Sequence, residues 1–180
     1  MADARPPKPT AAFVSDFVDV EAPMAAVEER FCGAVEWLLP LADTATDDGE
    51  ALLVRIGPSG GLLSRVVRVR LGGCTARRGG AVIPIRWESA AQASLFPVLD
   101  GTVVLTALDE AHCRLTLEAT YRPPLDRVGL WLDSVIFHRV AQSTVRSFLQ
   151  RVGRSFEGSL AQSDPPDAPP ATSPGDPPDV

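Results

Sequence analysis

Residues 130–157 contain an amphipathic stretch that restricts the folds open to the rest of the chain. Arg139, Arg146 and Arg154 lie well off its apolar face. A helix of this length is about 40 Å long, enough to cross a small domain. Its apolar face therefore needs a broad apolar partner. The apolar residues recur at spacings of four, four, three, four and four, which place them on one face of an α-helix: Phe137, Ala141, Val145, Phe148, Val152 and Phe156.

The partner is predicted to be an antiparallel sheet, because most of the preceding chain has the period-two alternation of half-buried strands. In the clearest case, Cys113, Leu115 and Leu117 face one way while Arg114 and Thr116 face the other. The link at residues 72–80, bracketed by glycine pairs, leaves room for a seventh strand. The six segments with strand character are 12–20, 51–56, 64–71, 81–89, 98–107 and 111–121.

Two short helices are expected between the first strand and the remaining strands. Pro23 suits the first turn of a helix, and Gly33 divides the helical pattern into segments 23–32 and 34–42. The order of elements predicts an α+β fold, in which a curved antiparallel sheet of six to seven strands wraps around the long C-terminal helix. An apolar space is expected between sheet and helix.

The two ends of the chain differ in composition from its middle. Ten of the 17 prolines lie in residues 1–10 or 164–180, and the second stretch also has four acids and no basic residue. Such segments bury too little apolar surface to offset the entropy of ordering. We expect a disordered leader at residues 1–10, one domain at residues 11–160 and a disordered Pro/Asp-rich tail at residues 161–180.

Several classes of protein and site are excluded by what the sequence lacks. The first ten residues have no apolar segment typical of a secretory signal, and no apolar run approaches the roughly 18 residues of a membrane span. A cytoplasmic location is therefore expected. Cys32, Cys74 and Cys113 are far apart and form no C-x-x-C motif, which predicts neither a zinc site nor a disulfide framework. We expect no metal and no cofactor.

Charge is distributed unevenly along the domain. Residues 11–50 contain ten acids and one arginine, whereas residues 51–87 contain seven arginines and no acid. This pattern has two interpretations. One is a basic sheet surface that attracts an anionic partner or lipid headgroup. The other is a solvated outer face, neutralised in part by the acidic helices or a neighbouring subunit. No aromatic residues interleave the arginines, so nucleic-acid binding is not expected. The arginines opposite the apolar face are Arg55, Arg68, Arg70 and Arg86.

A set of short segments resembles a known superfamily. Val18-Asp19-Val20-Glu21-Ala22-Pro23 runs from an apolar strand into a helix, as the first strand and helix of the START-like superfamily, or SRPBCC, do. The resemblance covers residues 12–158, and the later segments are similar to a bacterial branch without an agreed function. These segments are Ile85-Arg86-Trp87-Glu88, Leu95-Phe96-Pro97, Gly101, Tyr121-Arg122-Pro123-Pro124-Leu125, Leu132-Asp133 and His138-Arg139-Val140-Ala141.

The resemblance implies the helix-grip fold and several alternative functions. Members include lipid and hormone carriers, polyketide aromatases and cyclases, and partner-binding proteins. Our first hypothesis is a protein that binds a hydrophobic small molecule or lipid between the sheet and the C-terminal helix. Trp87, Phe96 and Trp131 would line the site or its mouth, and Tyr121 and His138 would be its polar groups.

Each candidate polar residue also has a structural interpretation. The helical angle of His138 places it beside Val145 and Leu149, where it acts on a ligand or is simply buried and hydrogen-bonded. Tyr121 either directs its hydroxyl into the space or belongs to the core. The alternative functions are a polyketide cyclase or dehydratase with His138 or Tyr121 as general acid or base, and a partner-binding protein that uses the arginine face. A protein partner or homodimer is considered with the latter, and stable membrane insertion is not expected.

Overall fold

The computed structural model describes residues 11–33, 37–45, 52–57, 65–90, 98–122 and 134–161. The predicted leader lies outside these ranges, and so does the predicted tail apart from Ala161, which ends the last helix. In chain order the described elements are β1 (Ala12–Val20), α1 (Met24–Cys32), a 3-10 turn (Leu39–Leu41), β2 (Ala42–Ala45), β3 (Leu52–Ile56), β4 (Arg65–Leu71), β5 (Thr75–Arg77), β6 (Gly80–Ser89), β7 (Val98–Ala107), β8 (Cys113–Arg122) and α2 (Ser134–Ala161).

The described strands form one antiparallel sheet in the order β1-β8-β7-β6-β4-β3-β2, with the short β5 paired to β6 outside this order. All six strand segments predicted from alternation are present, and β5 lies in the link at residues 72–80. Strand β2 was not predicted, because its sequence Ala42-Asp43-Thr44-Ala45 has the composition of a loop. The α+β class and the predicted wrapping of the sheet around a C-terminal helix are confirmed.

The helical predictions are confirmed at α1 and α2 but not at the second short helix. In the described part of residues 34–42, only a 3-10 turn of three residues with Pro40 near its start is present. Helix α2 buries the predicted face, including Val145, Phe148, Val152 and Phe156, together with Leu149. None of the described helices is both long and apolar enough to cross a membrane.

Polar contacts tie α2 to both sides of the curved sheet. At the β1 side, Arg146 Nε donates to Asp16 at 2.8 Å, and Glu157 Oε1 accepts from the Glu21 backbone N–H at 3.2 Å. At the other side, Arg151 Nη2 donates to the backbone carbonyl of Arg55 on β3 at 2.6 Å. The sheet thus holds the helix between its first strand and its third.

A disulfide joins the end of α1 to the link between β4 and β5. Cys32 and Cys74 are paired, with their Cα atoms 5.2 Å apart and 42 positions apart in sequence. The expectation of no disulfide was therefore wrong. The sequence argument failed because residues distant along the chain meet only after α1 packs against β6 and β7. Cys113 is buried and free, and burial raises the pKa of its thiol.

Candidate functional site

A row of buried side chains crosses the inner face of the sheet where β6 ends and β7 begins. Trp87, Leu99 and Tyr121 are successive cross-strand partners on β6, β7 and β8. Val69 extends the row on β4, and Ala12 extends it on β1. Trp87, Leu99 and Tyr121 are each no more than 3% exposed. The predicted inward orientation of Trp87 and Tyr121 is therefore confirmed.

Trp87 has a buried hydrogen-bond donor without a partner. Its ring packs edge-on against Phe148 of α2, with centroids 5.6 Å apart and an interplanar angle of 72°. This contact bridges the middle of the sheet and the helix. The Trp87 Nε1 atom is buried and has no hydrogen-bond partner. Among the described residues, only an Arg30 Nη1 atom on α1 shares that condition.

The other described tryptophan has a satisfied donor. Trp37 Nε1 donates to the backbone carbonyl of Phe31 at 3.1 Å, and its ring stacks on that of Phe31 with centroids 6.1 Å apart. Trp37 also contacts Phe148 and Phe156 on α2. A continuous aromatic cluster therefore runs from α1, through α2, to Trp87.

Burial at the sheet changes the chemistry of Tyr121. Desolvation raises the pKa of its phenol above the ordinary value of 10.0. At neutral pH the hydroxyl is therefore protonated, and it can both donate and accept a hydrogen bond. It lies two strands from Trp87, so the two backbones are about 10 Å apart.

His138 does not lie on the covered side of α2, and that prediction was wrong. It lies within about 20° of Val145 around the helix axis, yet it is exposed. Helix α2 runs in the same direction as β1, because Arg146 contacts Asp16 and Gly153 lies near Val18. Eight residues before Arg146, a distance of about 12 Å, the helix has reached the beginning of β1. His138 therefore lies beside the start of β1, at the end of the sheet.

Two predicted site residues cannot be placed. Phe96 belongs to the β6–β7 connection and Trp131 to the β8–α2 connection, and both lie outside the described residues. Both connections leave the sheet from the end that carries the row of Trp87, Leu99 and Tyr121. Their proposed role at the mouth of the site stays a prediction.

The arginines on the outer face are paired with acids on neighbouring strands. Arg70 lies opposite Arg86, an unfavourable like-charge pair by itself. Arg86 Nη1 donates to Asp100 on β7 at 2.7 Å, while Arg70 and Arg68 lie 3.3 and 3.6 Å from Glu88 on β6. The sequence interpretation placed the neutralising acids in the early helices or in a second subunit, whereas these acids come from adjacent strands.

Arg55 is exposed on β3 and has further contacts of its own. A related pair joins β1 and β8 on the same outer face. Arg114 donates to Asp19 at 2.6 Å, which lowers the pKa of that carboxyl. The Arg114 guanidinium also lies over the ring of Phe17, 4.1 Å from its centroid. These contacts leave the outer face closer to neutral than the run of arginines indicated.

The sequence analysis missed an inward-facing carboxylate on β1. The side chain of Asp16 is 11% exposed and pairs with Arg146, and its Oδ1 also accepts the backbone N–H of Phe17 at 2.9 Å. The sequence does contain a signal for this orientation. Asp16 lies two residues from Val14 and two from Val18, so in a strand it shares their face. An inward charge on an edge strand discourages pairing with another chain.

The described residues contain no cluster of three or more histidine, cysteine or acidic side chains able to hold a metal ion. His112 is exposed and Cys113 buried, as the alternation along β8 predicted. His112 Nδ1 instead lies 2.8 Å from Asp109 in the β7–β8 turn. Polar groups that face the interior among the described residues include Trp87, Tyr121, Asp16 and Thr144.

Comparisons with solved structures settle the fold. An aromatase/cyclase, Zhui from Streptomyces sp. R1128, is 17% identical, with a TM-score of 0.57 over 86% of this chain and 99% of that chain. A START superfamily protein from Mycobacterium smegmatis is 16% identical, with a TM-score of 0.51 over 84% of this chain and 98% of that one. The protein has the helix-grip fold of the START-like, or SRPBCC, superfamily.

Norcoclaurine synthase from Thalictrum flavum, in complex with dopamine and hydroxybenzaldehyde, shares this START-like fold. It is 9% identical, with a TM-score of 0.56 over 86% of this chain and 89% of that chain. No family model matches the sequence, and no curated protein matches it. At these identities the likeness extends to the fold alone.

Proposed function

We propose that this START-like protein binds a hydrophobic small molecule or lipid between the middle strands of the sheet and α2. Helix α2 packs on β1 and β8 at one side and on β3 at the other. Over the middle strands, large side chains from the sheet and from α2 meet between the two layers, as the rings of Trp87 and Phe148 do. The observation that carries the proposal is this buried apolar surface of the middle strands, which faces α2.

The fold neighbours support a binding role of this kind. One is an aromatase/cyclase and another is a complex with dopamine and hydroxybenzaldehyde, so in the second protein this architecture holds small aromatic molecules. Here the buried row supplies an aromatic and aliphatic surface with few polar groups, which is typical of small-molecule sites. The ligand would contact Trp87 and Leu99, with Tyr121 at the β8 end of the row.

The first test is native mass spectrometry of freshly purified protein, joined to titration with the neutral fluorescent probe N-phenyl-1-naphthylamine. We expect a co-purifying apolar molecule or saturable enhancement of the probe's fluorescence. Absence of both would contradict the proposed function.

Removing the Trp87 ring is expected to weaken binding. Trp87→Ala deletes an apolar contact surface, which should cost more than about 1 kcal/mol of binding free energy. Phe13→Ala is the matched control, because Phe13 is 60% exposed on the outer face and its loss should leave probe affinity unchanged. Equal affinity for the probe in wild type and Trp87→Ala would show that Trp87 is not part of the site.

The cyclase and partner-binding alternatives stay predictions. Of the two candidate acid–base groups, His138 is exposed and Tyr121 is buried with a raised pKa. An enzymatic activity that survives replacement of both residues by Phe would exclude that mechanism. For the outer face, retention of a captured partner after charge reversal at Arg68 and Arg70 would count against docking there.

A further inference from the structure

The unpaired indole nitrogen of Trp87 indicates what kind of ligand the interior takes. The side chain is 2% exposed, and its Nε1 atom is buried without a hydrogen-bond partner. A buried donor that lacks an acceptor costs free energy. A phenylalanine at this position would supply an aromatic ring without that cost, so the donor itself calls for an explanation.

The Trp87 N–H cannot be satisfied by its neighbours in the sheet. Its cross-strand partners are Val69 and Leu99, whose side chains accept no hydrogen bonds, and Phe148 packs against the ring. Trp37 shows the usual solution, because its Nε1 donates to a backbone carbonyl at 3.1 Å. The two tryptophans belong to one aromatic cluster, but only Trp37 has a partner for its donor.

The chemistry of the donor restricts the acceptor. An indole N–H donates and never accepts, so its partner must present an oxygen or nitrogen lone pair. An ionised acceptor would need a compensating cation in this apolar row, and Val69, Leu99 and Phe148 supply none. A neutral carbonyl oxygen meets both conditions. The adjacent ring and aliphatic side chains favour a flat apolar body attached to it.

We propose that the ligand of this site is an apolar, carbonyl-bearing molecule whose oxygen accepts the Trp87 Nε1–H. This inference rests on the proposed function and adds the chemical class of the ligand. Trp87 is then the residue that distinguishes a ketone, aldehyde or ester from a hydrocarbon of the same shape. Leu99 and Phe148 contact the apolar body without making that distinction.

The test compares two probes of similar size, 2-acetylnaphthalene and 2-ethylnaphthalene, by displacement of N-phenyl-1-naphthylamine. In wild-type protein we expect the ketone to bind about five- to tenfold more tightly than the hydrocarbon, as a net hydrogen bond allows. In Trp87→Phe the ratio of the two affinities should fall to about one, because the smaller ring weakens both probes alike while the donor is lost only to the ketone. Trp37→Phe, which removes a donor already bonded to Phe31, should retain the preference.

An NMR measurement on the wild-type protein tests the inference independently of whether the variants fold. The three tryptophans give separate indole N–H signals in a ¹⁵N–¹H correlation spectrum. The Trp87 indole proton should move downfield with 2-acetylnaphthalene and not with 2-ethylnaphthalene. An equal preference in wild type and Trp87→Phe, or no ketone preference in wild type, would overturn the inference and leave hydrophobic binding intact. If wild type binds neither probe, the proposed function fails as well.

Discussion

At the residue scale, the sequence predicted which way side chains face better than it predicted what they contact. The alternation of apolar and polar residues along β6 and β8 predicted that Trp87 and Tyr121 face inward, because neighbouring residues of a strand point to opposite faces. The same argument could not show that Trp87 Nε1 lacks a partner while Trp37 Nε1 has one. Hydrogen bonds across elements depend on tertiary placement, which one sequence pattern does not encode.

Tyr121 allows a residue-scale prediction, because it is the only tyrosine in the chain. Burial raises its pKa above 10.0, so phenolate absorbance near 295 nm should develop at higher pH in folded protein than in protein unfolded by guanidinium. The folded state holds this proton more tightly. The resulting stabilisation is fully present below the unfolded pKa, about 10, and is lost as pH rises through the folded pKa.

Circular dichroism recorded during the same titration separates ionisation from unfolding. Identical midpoints in folded and unfolded protein would show that the Tyr121 hydroxyl is hydrated. That outcome would also remove Tyr121 as a buried polar group of the site.

At the scale of elements, long periodic segments were predicted well and short ones were not. The strands from β3 to β8 have enough alternating positions to reveal their faces, except for the three-residue β5. Helix α2 repeats its apolar spacing over several turns. Strand β2 and the 3-10 turn each contain four residues or fewer, so their structure is determined by pairing with β3 and by the chain leaving α1.

The contact between β7 and β8 depends on a glycine. A Cβ added at Gly101 would collide with the Glu118 carbonyl oxygen and lie 2.5 Å from Ala119 Cβ. Gly101 and Ala119 are direct cross-strand partners, so neither backbone can move without disturbing the ladder. Gly101 also adjoins Asp100, which pairs with Arg86 on the outer face.

Gly101→Ala is therefore expected to destabilise the fold by about 1–3 kcal/mol, the usual cost of forcing extra atoms into a packed site. Gly73→Ala is the matched control, because an added Cβ there meets nothing within 4 Å. Urea denaturation followed by tryptophan fluorescence measures both. A Gly101→Ala midpoint equal to that of Gly73→Ala would mean that β7 and β8 separate more easily than their register indicates.

At the scale of the whole molecule, the sheet and the disulfide constrain different parts of the fold. Contacts from β1 and β3 hold α2 on both sides, whereas the Cys32–Cys74 bond attaches α1 to the β4–β5 link. The order of elements predicted the first arrangement. It could not predict the second, because cysteine spacing does not determine which cysteines meet. Such bonds persist in oxidising compartments, and the cytoplasmic location inferred from the sequence stays a prediction.

The disulfide should contribute substantially to stability, because it closes a loop of 42 positions in the unfolded chain. The loop-entropy relation gives an upper value of about 4 kcal/mol, and measured losses are typically about 2–4 kcal/mol. The double variant Cys32→Ser and Cys74→Ser should lower the urea midpoint, and a reducing agent should lower that of wild type without affecting the variant. Cys113→Ala is the control, since it retains the bond and the response to reductant.

Titration of unfolded protein should find one reactive thiol before reduction and three after it, because Cys113 alone is free. Three thiols before reduction of protein purified under air would contradict the pairing.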